Sequence, residues 1–358
     1  MVRIAHISDS HLGSSLFQLT ERYEDVRKCL KKAVEMALRH SPDILVHTGD
    51  LFHSPFPHPD DMNFVVTLLK GIPESTSVVM LSGNHDIPYG YRYSQSPIKM
   101  LQSAGLLVST GDKESAEITI HSDGKSLDIH MISWTRRGIF QRYLDRVQQP
   151  SNNAMLLTHN IPVEYDELPS HYDYIGFGHS HSFHLDEEYG IGCPGSTCIV
   201  DWKKEMHSKR KLIIADIDSN GVEYQTETLN DVREFKFHPG LDITGLCASD
   251  ANSAIKRWLN ELSPKKKRKP IIIVNVNGLV TPDTESGLER SDLIAYGENK
   301  LGPLFLHIEP NWEIVGPPRV TLSEPLNIEQ SVKEYLEQNE GSDAKQILEE
   351  LHKIRGKE

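Results

Sequence analysis

The stretch RIAHISDSH (residues 3–11) joins an apolar, strand-like run to two side chains that can bind a hard metal ion. Residues 3–8 are typical of a β-strand, and Asp9 and His11 follow at its end. Alternate residues of an extended chain point to the same side, so both side chains are expected to reach one ion. This stretch therefore predicts a strand that leads directly into a metal-binding loop.

Four later segments repeat this arrangement, because each follows an apolar run and carries oxygen or nitrogen donors. They are Gly49-Asp50-Leu51-Phe52-His53, Gly83-Asn84-His85-Asp86, Thr158-His159-Asn160 and Gly178-His179-Ser180-His181. Strands that end at one edge of a sheet bring the loops that follow them together. We therefore expect all five loops to form a single site.

The donors in these loops are sufficient for two metal ions. The best ligand set is Asp9, His11, Asp50, Asn84, His159, His179 and His181, with His53 and His85 beside it. Asp50 is placed to bridge the ions, because its carboxylate has two oxygens. Two ions are typical of phosphoester hydrolysis. Mixed nitrogen and oxygen ligation favours manganese, iron or zinc over magnesium.

Each segment has a simpler structural interpretation when it is taken alone. An Asn-His-Asp turn, for example, can use its polar side chains to satisfy backbone donors. Five such segments in one order, each at a strand end, favour a metal site over coincidence. His6 and His47 lie inside predicted strands and are interpreted as core histidines.

The order DxH, GDxxH, GNHD, THN and GHxH resembles that of the calcineurin-like metallophosphoesterases. DSHLG, GDLFHS, GHSH and the later PGST (residues 194–197) resemble the SbcD branch, the nuclease subunit of a DNA double-strand-break repair complex, known in eukaryotes as meiotic recombination eleven. The resemblance covers residues 1–230 well and the rest weakly. It implies a manganese nuclease that acts at DNA ends, with 3′ to 5′ exonuclease and structure-dependent endonuclease activity.

The same resemblance implies roles and partners. It implies that the seven residues above bind two Mn²⁺ ions, that His85 protonates or orients the leaving group, and that His53 helps to place the DNA phosphate. It also implies a homodimer and a partner ATPase of the SbcC or Rad-fifty type, an ABC ATPase with a long coiled coil.

Two helices carry apolar faces that could form the dimer. These faces comprise Met62, Val65, Val66, Leu69, Met100 and Leu101. The alternative left open is that they pack on the chain's own sheet.

Two other functions compete with a DNA nuclease. One is another calcineurin-like phosphodiesterase, acting on a small-molecule or cyclic-nucleotide phosphodiester. Protein phosphatases of this class carry GDxxDRG, whereas this chain reads GDLFHS at residues 49–54, which disfavours that version. The other is a scaffold that has lost its metals, and the complete donor set argues against it.

Length and composition fit a globular protein of more than one domain. The chain has 358 residues, of which 25% are charged and 38% apolar. No apolar run approaches the ~20 residues of a membrane span. The four cysteines form no CxxC pair, which is typical of a reducing compartment. We expect a DNA-associated protein of the prokaryotic cytoplasm that has no membrane partner.

The net charge of −13 argues against general nucleic-acid binding, but positive charge is concentrated near the ligand segments. The basic residues concerned are Arg136, Arg137, Arg142, Lys203, Lys204, Lys209, Arg210 and Lys211. A second basic run, at residues 264–270, has three interpretations: a DNA contact, a nuclear localisation signal or a solvated loop.

The pattern along the chain predicts an α/β (α+β) fold with two packed mixed β-sheets flanked by helices, as in the metallophosphoesterases. We predict a nuclease domain over 1–232, a small α/β cap that binds DNA over 233–325, and a helical tail over 326–358 that docks the ATPase. Helices are expected over 21–39, 60–70 and 96–104. Among the strands expected from residue 116 onward are 188–190 and 197–201.

Overall fold

The structure, a computed structural model, describes residues 1–89, 95–111, 113–122, 124–146, 150, 153–262 and 269–316. The chain divides into two compact units between Glu234 and Phe235, beside the predicted boundary at residue 232. The roles predicted for the parts of the chain stay predictions. The basic residues 264–268 and the tail 326–358 lie outside the described residues.

The strands and helices of the described ranges are numbered in chain order. The strands are β1 (Val2–Ile7), β2 (Ile44–His47), β3 (Ser77–Met80), β4 (Ser115–Ser122), β5 (Lys125–Ile132), β6 (Asn153–Thr158), β7 (Tyr174–Gly176), β8 (His184–Asp186), β9 (Ile191–Cys193), β10 (Lys211–Asp218), β11 (Gly221–Thr228), β12 (Phe235–Asp242), β13 (Ile271–Val280) and β14 (Phe305–Ile314). The helices are α1 (Thr20–Leu38), α2 (Pro59–Lys70), α3 (Pro97–Ser103), α4 (Arg137–Leu144), α5 (Trp202–Glu205), α6 (Ala248–Glu261), α7 (Pro282–Ser286) and α8 (Arg290–Leu301).

The first unit contains two mixed sheets, as predicted. One has the order β11-β10-β1-β2-β3, in which β1, β2 and β3 are parallel and β10 runs antiparallel to β1. The other has the order β4-β5-β6-β7-β9-β8, with parallel central strands and antiparallel edges. Strands β1, β2, β3, β6 and β7 are those that precede the five donor loops.

Strand β1 shows how the layers pack. Ile4 faces the second sheet and joins a buried cluster with residues of β5 and β6. Ala5 and Ile7 belong to a cluster on the opposite face, with residues of α1, α2 and α3. A fully buried aliphatic side chain stabilises the fold by roughly 1.5–3 kcal/mol, so a shift of one residue in β1 would be costly. Helix α4 covers the outer face of the second sheet through Phe140 and Leu144.

The faces predicted to form a dimer pack largely within the chain's own first unit. Val65, Leu69 and Leu101 are buried in the cluster beneath α1, and Met62 and Val66 pack against it. Most of these side chains therefore cover the five-stranded sheet, whereas Met100 is 53% exposed, and a part for these helices in an intermolecular surface stays a prediction. The homodimer itself stays a prediction.

Two of the predicted strands do not form. Residues 188–190 make the turn between β8 and β9, where Gly190 has a φ of 67°. Residues 197–201 are irregular although they are apolar. The backbone N–H groups of this segment donate to carboxylates instead of a neighbouring strand: Ile199 donates to Asp231, and Asp201 donates to Glu205.

The second unit is a small α/β layer, as predicted. Its three strands are parallel in the order β12-β13-β14, and parallel neighbours require crossover connections. Helices α6 and α8 pack on this sheet through Ile255, Leu259 and Leu293. Within the described ranges, every helix is too short or too polar to cross a bilayer.

His6 and His47 are core histidines, as predicted. The ring of His6 lies between two hydroxyls, 2.7 Å from Tyr174 Oη and 2.9 Å from Thr48 Oγ1. His47 Nε2 lies 2.9 Å from Ser10 Oγ. Both rings are completely buried, and burial lowers the pKa of each to about 3.

These two rings should therefore make the first unit less stable as the pH falls below about 6.5. Between the ordinary histidine pKa of about 6.5 and the folded value, only the unfolded chain binds these two protons. Stability then falls as the pH falls, by about 1.4 kcal/mol per pH unit for each ring. Urea unfolding at about pH 7, 6 and 5 measures this slope.

The variant His6→Gln tests the cause. It should be less stable than the wild type near neutral pH, yet lose stability less steeply between about pH 6 and pH 5. Equal slopes for the two proteins would mean that His6 is not held neutral in the fold.

Candidate metal centre

The donor loops share an unusual backbone conformation. Eight described residues other than glycine have a positive φ, and five of these are predicted ligands. They are Asp9 (50°), His11 (47°), Asp50 (52°), His179 (68°) and His181 (57°). This left-handed conformation costs a residue with a side chain of order 1 kcal/mol. Its concentration in these loops is typical of a functional site.

Asp9 and His11 converge, but the predicted alternation of an extended chain is wrong. Both residues have a left-handed backbone instead of an extended one. The loop instead runs beside that of Asp50: the backbone N–H of Asp9 donates to Gly49 (3.1 Å), and that of His11 donates to Asp50 (2.9 Å). These bonds between two loops turn both side chains toward the same point.

One donor cluster contains Asp9, His11, Asp50 and His181, whose ligand atoms lie within 4.8 Å of one another. His11 Nε2 lies 3.0 Å from His181 Nε2 and 3.6 Å from Asp50 Oδ2. His181 Nε2 lies 3.9 Å from Asp9 Oδ1.

A second cluster contains Asp50, His159 and His179. His159 Nε2 lies 3.4 Å from Asp50 Oδ2. Asn84 Oδ1 completes this group, 3.2 Å from His159 Nε2 and 3.1 Å from His179 Nδ1. Asp50 belongs to both clusters, so the seven predicted ligands form two groups joined by one carboxylate.

The chemistry of this donor set fits two divalent cations. Asp9 and Asp50 are buried, and their ion-pair contacts in the described part of the chain are with imidazoles only. Buried carboxylates need a compensating cation or metal. The Nε2 atoms of His11 and His181 lie only 3.0 Å apart, which also favours a cation bound between the two rings. The first unit therefore carries a dinuclear site for divalent metals.

The donors of the site differ in protonation. Burial lowers the pKa of His11 well below its usual value, so the ring is neutral. Burial opposes the charge on Asp50, yet the hydrogen bond and charge of His159 hold its pKa below the ordinary value. Burial also lowers the pKa of His159, but Asp50 outweighs this and raises it to about 9. A proton and a cation therefore compete for the position beside Asp50.

Two of the predicted ligand histidines are oriented by bonds from the ring nitrogen that faces away from the donor clusters. His159 Nδ1 lies 2.8 Å from the carbonyl of Thr48, which can only accept, so Nδ1 carries a proton and Nε2 is the nitrogen that a metal ion could use in place of a second proton. His181 Nδ1 lies 2.9 Å from Glu205 Oε1, with the same consequence. Partners of this kind fix the orientation of metal-binding imidazoles.

Glu205 is a site residue that the sequence analysis missed. It lies on the short helix α5 and is buried. One of its oxygens accepts from His181 and from the backbone of Asp201 (2.8 Å), and the other accepts from the Ser196 hydroxyl (2.6 Å). A lone glutamate 24 residues after its histidine carries no spacing signal, so only the folded chain identifies it.

Asp86 and Gly83 hold the loop of Asp50 against that of Asn84. The Asp86 carboxylate accepts from the backbone N–H groups of Leu51 (3.2 Å), Phe52 (3.0 Å) and Gly83 (3.0 Å). Burial raises the pKa of Asp86 to about 7. A Cβ on Gly83 would overlap the carboxylate and the backbone nitrogen of Asp50. The GNHD motif is therefore partly structural.

His53 and His85 lie at the open side of the first cluster. Their rings stack at a centroid distance of 5.3 Å, and His85 lies 4.8 Å from the ring of His11. His85 Nδ1 lies 3.0 Å from the carbonyl of His53, and its backbone N–H donates to Asp50 Oδ1 at 2.8 Å. Burial lowers the pKa of His53, and His85 lowers it further.

Comparison with known proteins agrees with this geometry. Residues 2–183 match the family model described as calcineurin-like phosphoesterase, which is about half of the chain and contains every donor loop. The chain belongs to the calcineurin-like phosphoesterase family. All seven predicted ligands, His53 and His85 lie inside the matched region, whereas Glu205 lies beyond it.

Among this phosphoesterase's relatives are two archaeal proteins named DNA double-strand break repair protein Mre11. That of Methanopyrus kandleri is 26% identical over 324 residues, or 82% of this chain and 68% of the relative. That of Thermoplasma acidophilum is 26% identical over 307 residues, or 78% of each chain. A dimetal phosphatase from Danio rerio is 13% identical, with a TM-score of 0.39 over 64% of this chain and 99% of that one.

Removal of the Glu205 carboxylate should weaken metal binding, because His181 would lose the bond that orients it. Loss of such an outer partner typically costs about 10- to 100-fold in metal affinity. Titration calorimetry with Mn²⁺ measures the change in Glu205→Ala, and Glu205→Gln should fall between that variant and the wild type.

The exposed Glu188 provides a matched control, and Glu188→Gln should bind as the wild type does. Circular dichroism confirms that the variants fold. A well-folded Glu205→Ala protein with wild-type affinity would show that the carboxylate does not support the metal site.

Proposed function

We propose that this phosphoesterase is a manganese-dependent DNA nuclease that processes DNA ends in double-strand-break repair. Its activities are 3′ to 5′ exonuclease and structure-dependent endonuclease. The observation that carries the proposal is the pair of donor clusters that share Asp50. The relatives named as double-strand break repair proteins support DNA as the substrate.

We assign the ligands by cluster. Asp9, His11 and His181 would hold one ion, Asn84, His159 and His179 the other, and Asp50 both. Manganese accepts this mixture of oxygen and nitrogen donors. Two such ions, when bound, polarise a phosphodiester and activate water for its hydrolysis.

His85 is proposed as the general acid. The carbonyl of His53 accepts from its Nδ1–H and holds the ring in place. The Nε2–H of that ring is then available to a leaving sugar oxygen. The backbone bond from His85 to Asp50 keeps the ring beside the first cluster.

His53 is proposed to place the substrate phosphate. Its Nδ1 lies 3.4 Å from that of His11, and its ring stacks on His85. The lowered pKa keeps the ring neutral, so it can offer one N–H to a phosphate oxygen without expelling the ions.

The partners follow from resemblance to the repair nucleases. We propose that two copies act together at a DNA end and that a coiled-coil ABC ATPase binds the tail, residues 326–358. Residues 233–325 are proposed as the part that contacts duplex DNA.

Activity on DNA tests the function. With Mn²⁺ the chain should degrade duplex DNA from its ends and open hairpin DNA, and anomalous scattering at the manganese edge should locate two ions that both touch Asp50. Asp50→Asn should lose cleavage, because the negative charge of the shared carboxylate disappears. Hydrolysis of a cyclic nucleotide or a chromogenic diester without any DNA cleavage would favour the alternative phosphodiesterase.

Replacement of His85 separates its chemical role from metal binding. His85→Gln should lower turnover of DNA by about 10²- to 10⁴-fold, the usual contribution of a general acid. Manganese affinity should change little, because the Asp50 contact is made by the backbone N–H. Loss of a metal ion, or near-normal turnover, would contradict the assignment.

A further inference from the structure

A pocket of about 330 Å³ lies at the edge of the first unit that carries the donor loops. It is lined by Tyr89, Glu114, Trp134, Thr135, Arg136 and Ile139. Its volume is at the small end of the range for small-molecule sites, about 300–1,000 Å³. None of these residues has a part in the site described above.

Backbone bonds attach this pocket to two of the donor loops. The N–H of Trp134 donates to the carbonyl of Ser82 (3.0 Å), two residues before Asn84. Thr135 exchanges two bonds with the Asn160 side chain, at 3.2 and 3.0 Å, and Asn160 directly follows His159. The pocket is therefore held at a fixed place next to the second donor cluster.

The walls of the pocket include an aromatic pair. Tyr89 and Trp134 meet edge to face, with centroids 5.7 Å apart and planes at 75°. In an edge-to-face pair, one ring contacts the other through its edge. Both faces of that ring therefore remain available for a planar ligand to stack on. Tyr89 is 56% exposed, so part of its ring is accessible to a ligand.

The polar groups of the pocket favour a nucleobase over a phosphate as its ligand. Arg136 is exposed and positive, whereas Arg137 pairs with Glu167 and Arg210 pairs with Asp231. The Glu114 carboxylate also lines the pocket and accepts from the Tyr143 hydroxyl at 2.6 Å. A carboxylate repels a phosphate, but an acceptor beside a donor matches the edge of a nucleobase.

We propose that this pocket receives one unpaired nucleobase of the DNA strand, adjacent to the phosphodiester that is cleaved. The base stacks on the Tyr89–Trp134 pair, and Arg136 and Glu114 bind its edge. The proposal rests on the proposed nuclease function, because it names a substrate subsite of that same centre. It requires that the DNA end be opened by at least one base before cleavage.

A cycle of protein and substrate changes tests the subsite. Trp134→Leu and Tyr89→Leu are assayed on overhang DNA and on a chromogenic phosphodiester that has no base. The ratio of kcat/KM on DNA to kcat/KM on the chromogenic diester should fall about tenfold or more, within the range for loss of one stacked base. Tyr189→Leu, which removes an exposed ring outside the pocket, should keep the wild-type ratio.

The substrate arm uses a single abasic residue moved one position at a time along the strand. Wild-type cleavage should fall by a similar factor at one position near the cut, and Trp134→Leu should show little further loss there. A wild-type protein that is insensitive to every abasic position would overturn the subsite, even if the variants fail to fold. So would variants with the wild-type ratio. If the wild type cleaves the chromogenic diester but no DNA, the nuclease function itself fails and the subsite fails with it.

Discussion

The buried carboxylate of Asp50 is the constraint on which the site depends. It faces His11 on one side and His159 on the other, and it accepts the backbone N–H of His85. An isolated charge at this depth would be very unfavourable, so its neighbours must supply compensating positive charge. Gly83 leaves room beside this carboxylate, because a Cβ there would overlap it, and Asp86 braces the loop that carries it.

The histidines of the first unit fall into two chemical types. Both ring nitrogens of His6 are satisfied by hydroxyl groups, so the ring is a neutral spacer between the sheets. His159 and His181 have one nitrogen bonded to an acceptor, and the other faces the carboxylates. Burial is therefore a poor guide to the function of a histidine. The group that the second ring nitrogen contacts decides whether a histidine is structural or able to bind a metal ion.

Sequence reasoning predicted the two mixed sheets and the convergence of the donor loops, because a strand and the polar residues after it are local features. It missed Glu205 and the bracing role of Asp86, because both act through tertiary contacts without a fixed spacing. It mistook residues 197–201 for a strand, since an apolar run looks the same whether its N–H groups meet a strand or a carboxylate. The faces of α2 and α3 were ambiguous for a related reason: an apolar stripe does not reveal what covers it.

The left-handed backbone at five of the predicted ligand positions lowers the stability of the fold where the function needs these side chains. Glycine or asparagine would adopt these φ values at lower cost than aspartate or histidine. A population of variants selected for heat resistance alone should therefore drift toward those residues and keep the two sheets while losing the donors. The metal centre thus occupies the least relaxed part of its unit, and a thermostable descendant that retains activity would have to gain its stability elsewhere, in the layers beneath α1 or between the sheets.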